Sequence, residues 1–179
     1  MGSTLTVDNI VGASTAANVK LPAGTILQCK SGTINSRFQT SSTSFVDVTG
    51  FNVNITPKYS TSKILVQFST TAGLSTTSRV SRFRVIRTIS GGSAVHVGVG
   101  DADSDNFSGT RTVYDAGQDQ LHQVHWQGED SPSTTSAIVY KIMCCTNGGT
   151  MNVNDRNTGD MSQTSTITVW ELSQWVLYL

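Results

Sequence analysis

The chain has 179 residues, a formal net charge of +0 at pH 7, and only 13% charged residues. A neutral chain has no overall field that could package nucleic acid or hold an anionic membrane, so both functions are excluded as charge-driven ones. The chain contains 23 serines and 25 threonines but only two glutamates and five lysines, so the residues that build exposed helices are scarce. This composition indicates an all-β protein.

Residues 1–22 differ from the sequence that follows. Residues 12–18 are small and polar, with nothing to pack against, and the turn-forming sequence LPAG at 21–24 precedes the first apolar segment. The sequence therefore predicts an extended N-terminal arm over 1–22 and one domain over 23–179. The beginning of the chain lacks the pattern of a signal peptide, and no apolar run reaches the ~18 residues of a membrane span. We expect synthesis in the cytoplasm and no membrane insertion.

Short apolar segments separated by Gly, Asn, Asp, Ser and Pro continue to the end of the chain and predict β-strands. Their predicted bounds are 25–30, 44–48, 51–55, 63–69, 80–88, 93–99, 112–115, 121–127, 137–144, 150–154 and 164–172. Thr49 and Gly50 predict a turn or bulge between the second and third segments. Strands at this spacing are typical of an antiparallel two-sheet β-sandwich or jelly roll.

Alternation with a period of two residues predicts which side chains form the core. The inward set consists of Ile64, Val66, Phe68, Phe83, Val85 and Val124, with Trp126 on the same face as Val124. In the segment 80–88, the same alternation places Arg82 and Arg84 on the opposite, outward face. In the segment 93–99, it aligns Val95, Val97 and Val99.

The cysteines and histidines do not predict a metal site. Cys144 and Cys145 are adjacent in a predicted strand and therefore point to opposite faces, while Cys29 is distant in sequence. His122 and His125 are also an odd number of residues apart, so a shared ion would require a bulge. We expect buried thiols in a reducing compartment, no disulfide framework and no metal.

A calcium hypothesis rests on Asp101, Asp103 and Asp105. Their spacing matches the first half of a calcium-binding loop, but position 6 is Asn106 instead of Gly and position 12 is Thr112 instead of Glu. A polar surface turn is the alternative interpretation.

Four of the seven arginines lie within nine residues: Arg79, Arg82, Arg84 and Arg87. Guanidinium groups match sulfate, phosphate and carboxylate, so this arginine stripe is a candidate site for an acidic glycan. A solvated strand face, or ion pairs between subunits, explains the same pattern. The sequence contains no Gly-x-Ser-x-Gly nucleophile turn and no phosphate-binding loop, so we expect neither enzymatic activity nor a cofactor.

Several segments resemble β-domains of virion-surface and fibre proteins of tailed bacteriophages, many from marine and cyanobacterial hosts. The matching segments are STLTVD (3–8) with LPAG (21–24), TSFVDVTGFNVNITP (43–57) with SKILV (62–66), DSPSTTSA (130–137) with YK (140–141), and TSTITVWE (164–171). The resemblance implies a β-sandwich, usually trimeric, on the virion surface, and it implies no catalytic residues.

On this resemblance we expect a virion structural protein, a short trimeric fibre or tail-tip component that aids adhesion to the host surface. The arm would bind other virion proteins through Leu5, Val7, Ile10 and Val11, and a host glycan is a further candidate partner. A capsid decoration or head-fibre protein remains open, as does a free carbohydrate-binding module.

The residues Trp175, Val176, Leu177, Tyr178 and Leu179 are apolar on both faces of any strand that they form. An uncovered edge of this kind promotes aggregation, so the segment must be buried. It is either a central strand of its own sandwich or a contact between subunits, and we favour the second, in a homotrimer.

Overall fold

The computed structural model describes residues 21–100, 110–115, 117, 119–156 and 163–174. Within these residues the secondary structure consists of the following strands: β1 (Ile26–Ile34), β2 (Phe38–Thr40), β3 (Val46–Ile55), β4 (Lys63–Leu74), β5 (Arg79–Ile89), β6 (Ala94–Val97), β7 (Arg111–Asp115), β8 (Leu121–Asp130), β9 (Ile138–Thr146), β10 (Met151–Val153) and β11 (Ser165–Leu172). Within these residues no helix is long and apolar enough to cross a membrane.

The strands form two antiparallel sheets. In the first sheet β11 lies between β1 and β4, and β8 pairs with the other edge of β4. β10 pairs with the last residues of β4, on the same edge as β11, and β2 pairs with β10. In the second sheet β9 lies between β3 and β5, while β6 and β7 pair with the two halves of the far edge of β5. This confirms the prediction of an all-β, antiparallel two-sheet sandwich.

The pairing is that of a jelly roll. Four strand pairs are nested in sequence, each inside the one before: β1–β11, β3–β9, β4–β8 and β5–β6. Successive pairs belong alternately to the first and the second sheet, as in a long hairpin that is rolled up. The resulting orders are β1-β11-β4-β8 and β3-β9-β5-β6. Jelly rolls occur in viral capsid proteins, lectins and cupins, so the topology alone does not identify the function.

The core lies between the sheets and contains the predicted inward residues. Ile64, Val66, Phe68, Phe83, Val85 and Val124 are each 0% exposed, and Trp126 is partly buried against them. The Phe68 ring contacts three other rings, with centroids 6.4 Å from Phe51, 6.1 Å from Phe83 and 6.4 Å from Trp126. Alternation correctly predicted these faces because each segment has one buried and one solvated side.

Close backbone contact joins the two sheets along one side. A Cβ atom on Gly32 of β1 would lie 1.9 Å from the backbone oxygen of Asn52 in β3. Only glycine therefore allows the edge strands of the two sheets to approach each other this closely. The prediction of a bulge at Thr49 and Gly50 is confirmed, since β3 continues through them with a register shift and Gly50 has φ of 79°.

The described chain enters and leaves the domain at one end of the sandwich. Gly24 and Ser173 are joined by a hydrogen bond of 2.8 Å between the Gly24 amide and the Ser173 carbonyl, and the Ser173 hydroxyl donates to the Leu21 carbonyl at 3.0 Å. We call this end the terminal pole. The loops 75–78 and 147–150 lie at the opposite end, the distal pole, where Ser75 and Thr150 hydrogen bond.

A buried carboxylate stabilises the terminal pole. Glu171 is 0% exposed, and its Oε1 accepts hydrogen bonds from the Ser62 hydroxyl at 2.7 Å and the Lys58 amide at 2.7 Å. Its Oε2 accepts a hydrogen bond from the side-chain amide nitrogen, Nε2, of Gln28 at 2.5 Å. Because a buried charge requires such partners, Glu171 fixes the loop between β3 and β4 against β1 and β11.

Candidate functional site

The arginine stripe is divided between two sides of the second sheet. Alternation along β5 places Arg82 and Arg84 on the outer face. Arg79 and Arg87 are each four residues from the buried Phe83 and therefore lie on the inner face. The structure therefore brings Arg82 and Arg84 together on a solvent-facing surface. It does not bring all four arginines together.

Arg87 belongs to a network that connects the two sheets. Its Nη1 donates to Oδ1 of Asp130 at 2.7 Å, and the Tyr140 hydroxyl donates to Oδ2 of the same carboxylate at 2.6 Å. The side chains of Arg87 and Asp130 are only 14% and 11% exposed. Burial, followed by the hydrogen bond and charge of Asp130, raises the pKa of Tyr140 far above its ordinary value, so the phenol remains a donor. Arg87 therefore has a structural role.

Arg84 lies across the outer face. Its guanidinium carbon is 3.7 Å from the centre of the Phe45 ring, and its Nη1 is 3.3 Å from Nε2 of His96. Burial and the Arg84 charge lower the pKa of His96, so a neutral imidazole accepts this hydrogen bond. Stacking on Phe45 fixes the plane of the guanidinium and leaves the cation at the surface.

Arg82 lies beside Cys145. The two residues are register partners on β5 and β9. Burial raises the pKa of Cys145, and the charges of Arg82 and Arg84 partly oppose that shift. On the inner face, burial raises the pKa of Cys144 to about 12. Both thiols are therefore protonated at neutral pH, and they point to opposite faces as predicted.

We call the surface formed by Phe45, Arg82, Arg84 and His96 the arginine face. Beside it, Lys141 and Asp47 form an ion pair of 2.8 Å that neutralises both charges. The arginine face thus carries two guanidinium groups, one of them stacked on an aromatic ring. Guanidinium groups of this kind bind carboxylate, sulfate and phosphate.

The histidines do not converge. His96 lies on β6, while His122 and His125 are in register with Ala72 and Ser69 of β4 and occupy opposite faces of β8. This confirms the predicted opposition of His122 and His125. Among the residues that the structure describes, no group of three histidine, cysteine or carboxylate side chains is placed to hold a metal ion.

Three sets of predicted site residues lie outside the described residues. They are the anchoring residues Leu5, Val7, Ile10 and Val11, the calcium candidates Asp101, Asp103 and Asp105, and the interface residues Trp175, Val176, Leu177, Tyr178 and Leu179. The contacts of Phe45 with Arg84 and of Asp130 with Arg87 were not predicted from the sequence. Phe45 lies just before β3, and no local signal shows that Arg84, which is on β5, would stack on its ring.

Comparison with family models and with curated proteins finds no match. Solved structures give remote similarities. The structure of infectious bursal disease virus, Gx strain, is 11% identical with a TM-score of 0.41, over 96% of this chain and 42% of that chain. The Gt strain structure is 10% identical with a TM-score of 0.42, over 96% and 46%. The VP2 subviral particle of the same virus is 10% identical with a TM-score of 0.35, over 82% and 38%.

The chain thus spans less than half the length of the viral chains to which it is similar. At these identities and TM-scores, the comparison establishes neither a shared family nor a shared function.

Proposed function

We propose that the protein is a structural component of a bacteriophage virion, a short trimeric fibre or tail-tip protein that is exposed on the particle and aids adhesion to the host. It acts by binding, without catalysis or a cofactor, and reaches the virion surface after synthesis in the host cytoplasm. The observation that carries this proposal is the jelly-roll strand order combined with a single terminal pole.

The position of the termini gives the domain a polarity suited to a projection. Leu21 and Ser173 lie side by side at the terminal pole, so an arm formed by residues 1–22 would tether the domain from that end. The distal pole would then point away from the particle, and the outer faces of the two sheets would form the sides of the projection. The segments that resemble phage fibre proteins, such as 43–57 and 164–171, support the same assignment.

The arginine face is the candidate adhesive surface. Arg84, stacked on Phe45, and the nearby Arg82 present fixed positive charge that matches the carboxylate or sulfate groups of acidic surface glycans. Because these groups lie on one sheet face and not at the terminal pole, tethering through the arm leaves them accessible.

Two alternatives use the same fold. A capsid decoration or head-fibre protein would have the same tethered arm but a different place on the particle. A free carbohydrate-binding module is the alternative from another class, and it is favoured by the exposed arginine face together with the occurrence of jelly rolls in lectins.

The test compares full-length protein with a variant that lacks residues 1–22, each supplied to an infection that cannot make its own copy. The truncated domain should keep the β-sheet circular dichroism of the full chain, because the described core begins after residue 22. It should also be absent from virions purified on a density gradient, whereas the full chain is present. Incorporation of the truncated domain, or loss of its β-sheet signal, would contradict the tethering role of the arm.

A further inference from the structure

A small apolar surface lies on the outer face of the first sheet, next to the terminal pole. It consists of Ile26, Cys29, Leu65, Trp170 and Leu172, which we call the apolar patch. Trp170 is in register with Cys29 on one side and with Leu65 on the other, and Leu172 is in register with Ile26. Register partners share a face of the sheet, so these five side chains point outward together. Ile26 is 56% exposed. Cys29 is exposed as well, so the expectation of a buried thiol is wrong for this cysteine, which lies on the outer face of an edge strand.

The patch is local. The next row of the same outer face consists of Ser31, Thr168, Gln67 and Gln127, all of which are polar. On the other side, Lys63 and Glu129 form an ion pair at the margin of the patch. The outer face therefore changes from apolar to polar within two residues along each strand, as at the edge of a contact surface.

The chain leaves the domain beside this patch. Leu172 is a member of the patch, and the Ser173 amide donates to the Thr25 carbonyl at 2.9 Å. Residues 173 and 174 thus continue the direction of β11 past the start of β1. The five apolar residues 175–179 follow immediately.

We propose that residues 175–179 of one subunit dock on the apolar patch of a neighbouring copy, an inference that rests on the trimeric fibre proposed above. The segment is apolar throughout, and the patch is the exposed apolar surface next to the point where it begins. Extended at about 3.3 Å per residue, it is about 16 Å long. It therefore crosses the two strand spacings of the patch, about 10 Å, with residues to spare.

The direction of the chain favours a neighbouring copy over the segment's own domain. Ser173 holds the chain in line with β11, so the segment would have to reverse within one or two residues to reach its own patch. Continuing outward, it reaches another subunit without a turn. Each copy then donates one segment and accepts one, a head-to-tail contact that closes into a ring.

Cys29 allows a direct test in the full-length protein. Each of residues 175–179 is replaced in turn by cysteine, and the purified protein is oxidised with copper phenanthroline. We expect disulfide-linked dimers and trimers on a non-reducing gel at alternate positions, such as Leu177→Cys, and their loss when Cys29→Ser is added. Cys144 and Cys145 are buried, so they should not form disulfides between subunits, and any oligomers that they do form appear in the Cys29→Ser control. Monomers alone, or covalent oligomers that persist with Cys29→Ser, would overturn the proposal.

A second measurement does not depend on disulfide geometry. Leu65→Lys places a charge in the patch, and Gln67→Lys places the same charge two residues away on the same outer face of β4. Light scattering over a dilution series should show an increase of about tenfold or more in the trimer dissociation constant for Leu65→Lys only. Equal effects of the two variants, or a full-length protein that is monomeric, would refute docking on the patch.

These outcomes are separable from those for the virion function. If the protein is incorporated into particles but residues 175–179 do not dock on a neighbouring copy, the proposed function is supported and this inference is refuted. If residues 175–179 dock on a neighbouring copy but the protein is absent from particles, this inference is supported and the proposed function is refuted.

Discussion

The Phe68→Ala variant tests the assignment of the core. Phe68 is 0% exposed and its ring contacts those of Phe51, Phe83 and Trp126. Truncation of a buried phenylalanine costs about 3 to 5 kcal/mol, and each aromatic pair contributes about 0.5 to 1.5 kcal/mol beyond its buried area. With three ring partners lost, we expect a decrease in the free energy of unfolding of about 4 to 5 kcal/mol.

Urea unfolding followed by tryptophan fluorescence measures this loss, at one fixed protein concentration because subunit association also contributes. Gln67→Ala is the matched control, since it is the neighbouring residue on the outer face, and its effect should stay within about 0.5 kcal/mol. A loss below about 1 kcal/mol for Phe68→Ala would refute the assigned face.

Three further predictions follow from the packing and charge of the domain. Tyr140→Phe should reduce the loss of stability in alkali. The pKa of Tyr140 is raised on folding, so the unfolded chain loses this proton first and the free energy of unfolding falls above about pH 10. Thermal melts at several pH values measure this fall. A Tyr140→Phe melt profile as steep as that of the original protein would contradict this. Gly32→Ala should lower the melting temperature by several degrees because its Cβ would clash with the Asn52 backbone oxygen, and an unchanged temperature would show that the edge strands are not in contact. Changing both Arg82 and Arg84 to Gln should weaken adsorption of particles to host cells and flatten its dependence on salt, whereas unchanged adsorption by intact particles would leave the arginine face without an adhesive role.

Much of the fold could be predicted from the sequence because the strands have one apolar and one polar face. The segment 63–69 is an example: Ile64, Val66 and Phe68 alternate with polar or half-buried neighbours, and β4 buries them as expected. The short strand β2 was not predicted, because three residues are too few to show a period. In the segment 93–99, Val97 is buried but Val95 is exposed, since β6 is an edge strand.

The pairing between strands could not be predicted, and the site depends on it. Local sequence does not show that Arg84 would lie over Phe45, or that Arg87 would be paired with Asp130. Both contacts are made between residues more than 30 positions apart. The arginine stripe is a cluster in sequence, but the three-residue steps from Arg79 to Arg82 and from Arg84 to Arg87 divide the four side chains between the two faces of β5.

Immunogold labelling of intact virions with an antibody against the folded domain tests the central proposal most directly. The account predicts gold particles on the virion surface, concentrated at the tail tip, and a matching decrease in label when residues 1–22 are deleted. Unlabelled virions, with the protein present only free in the lysate, would contradict it.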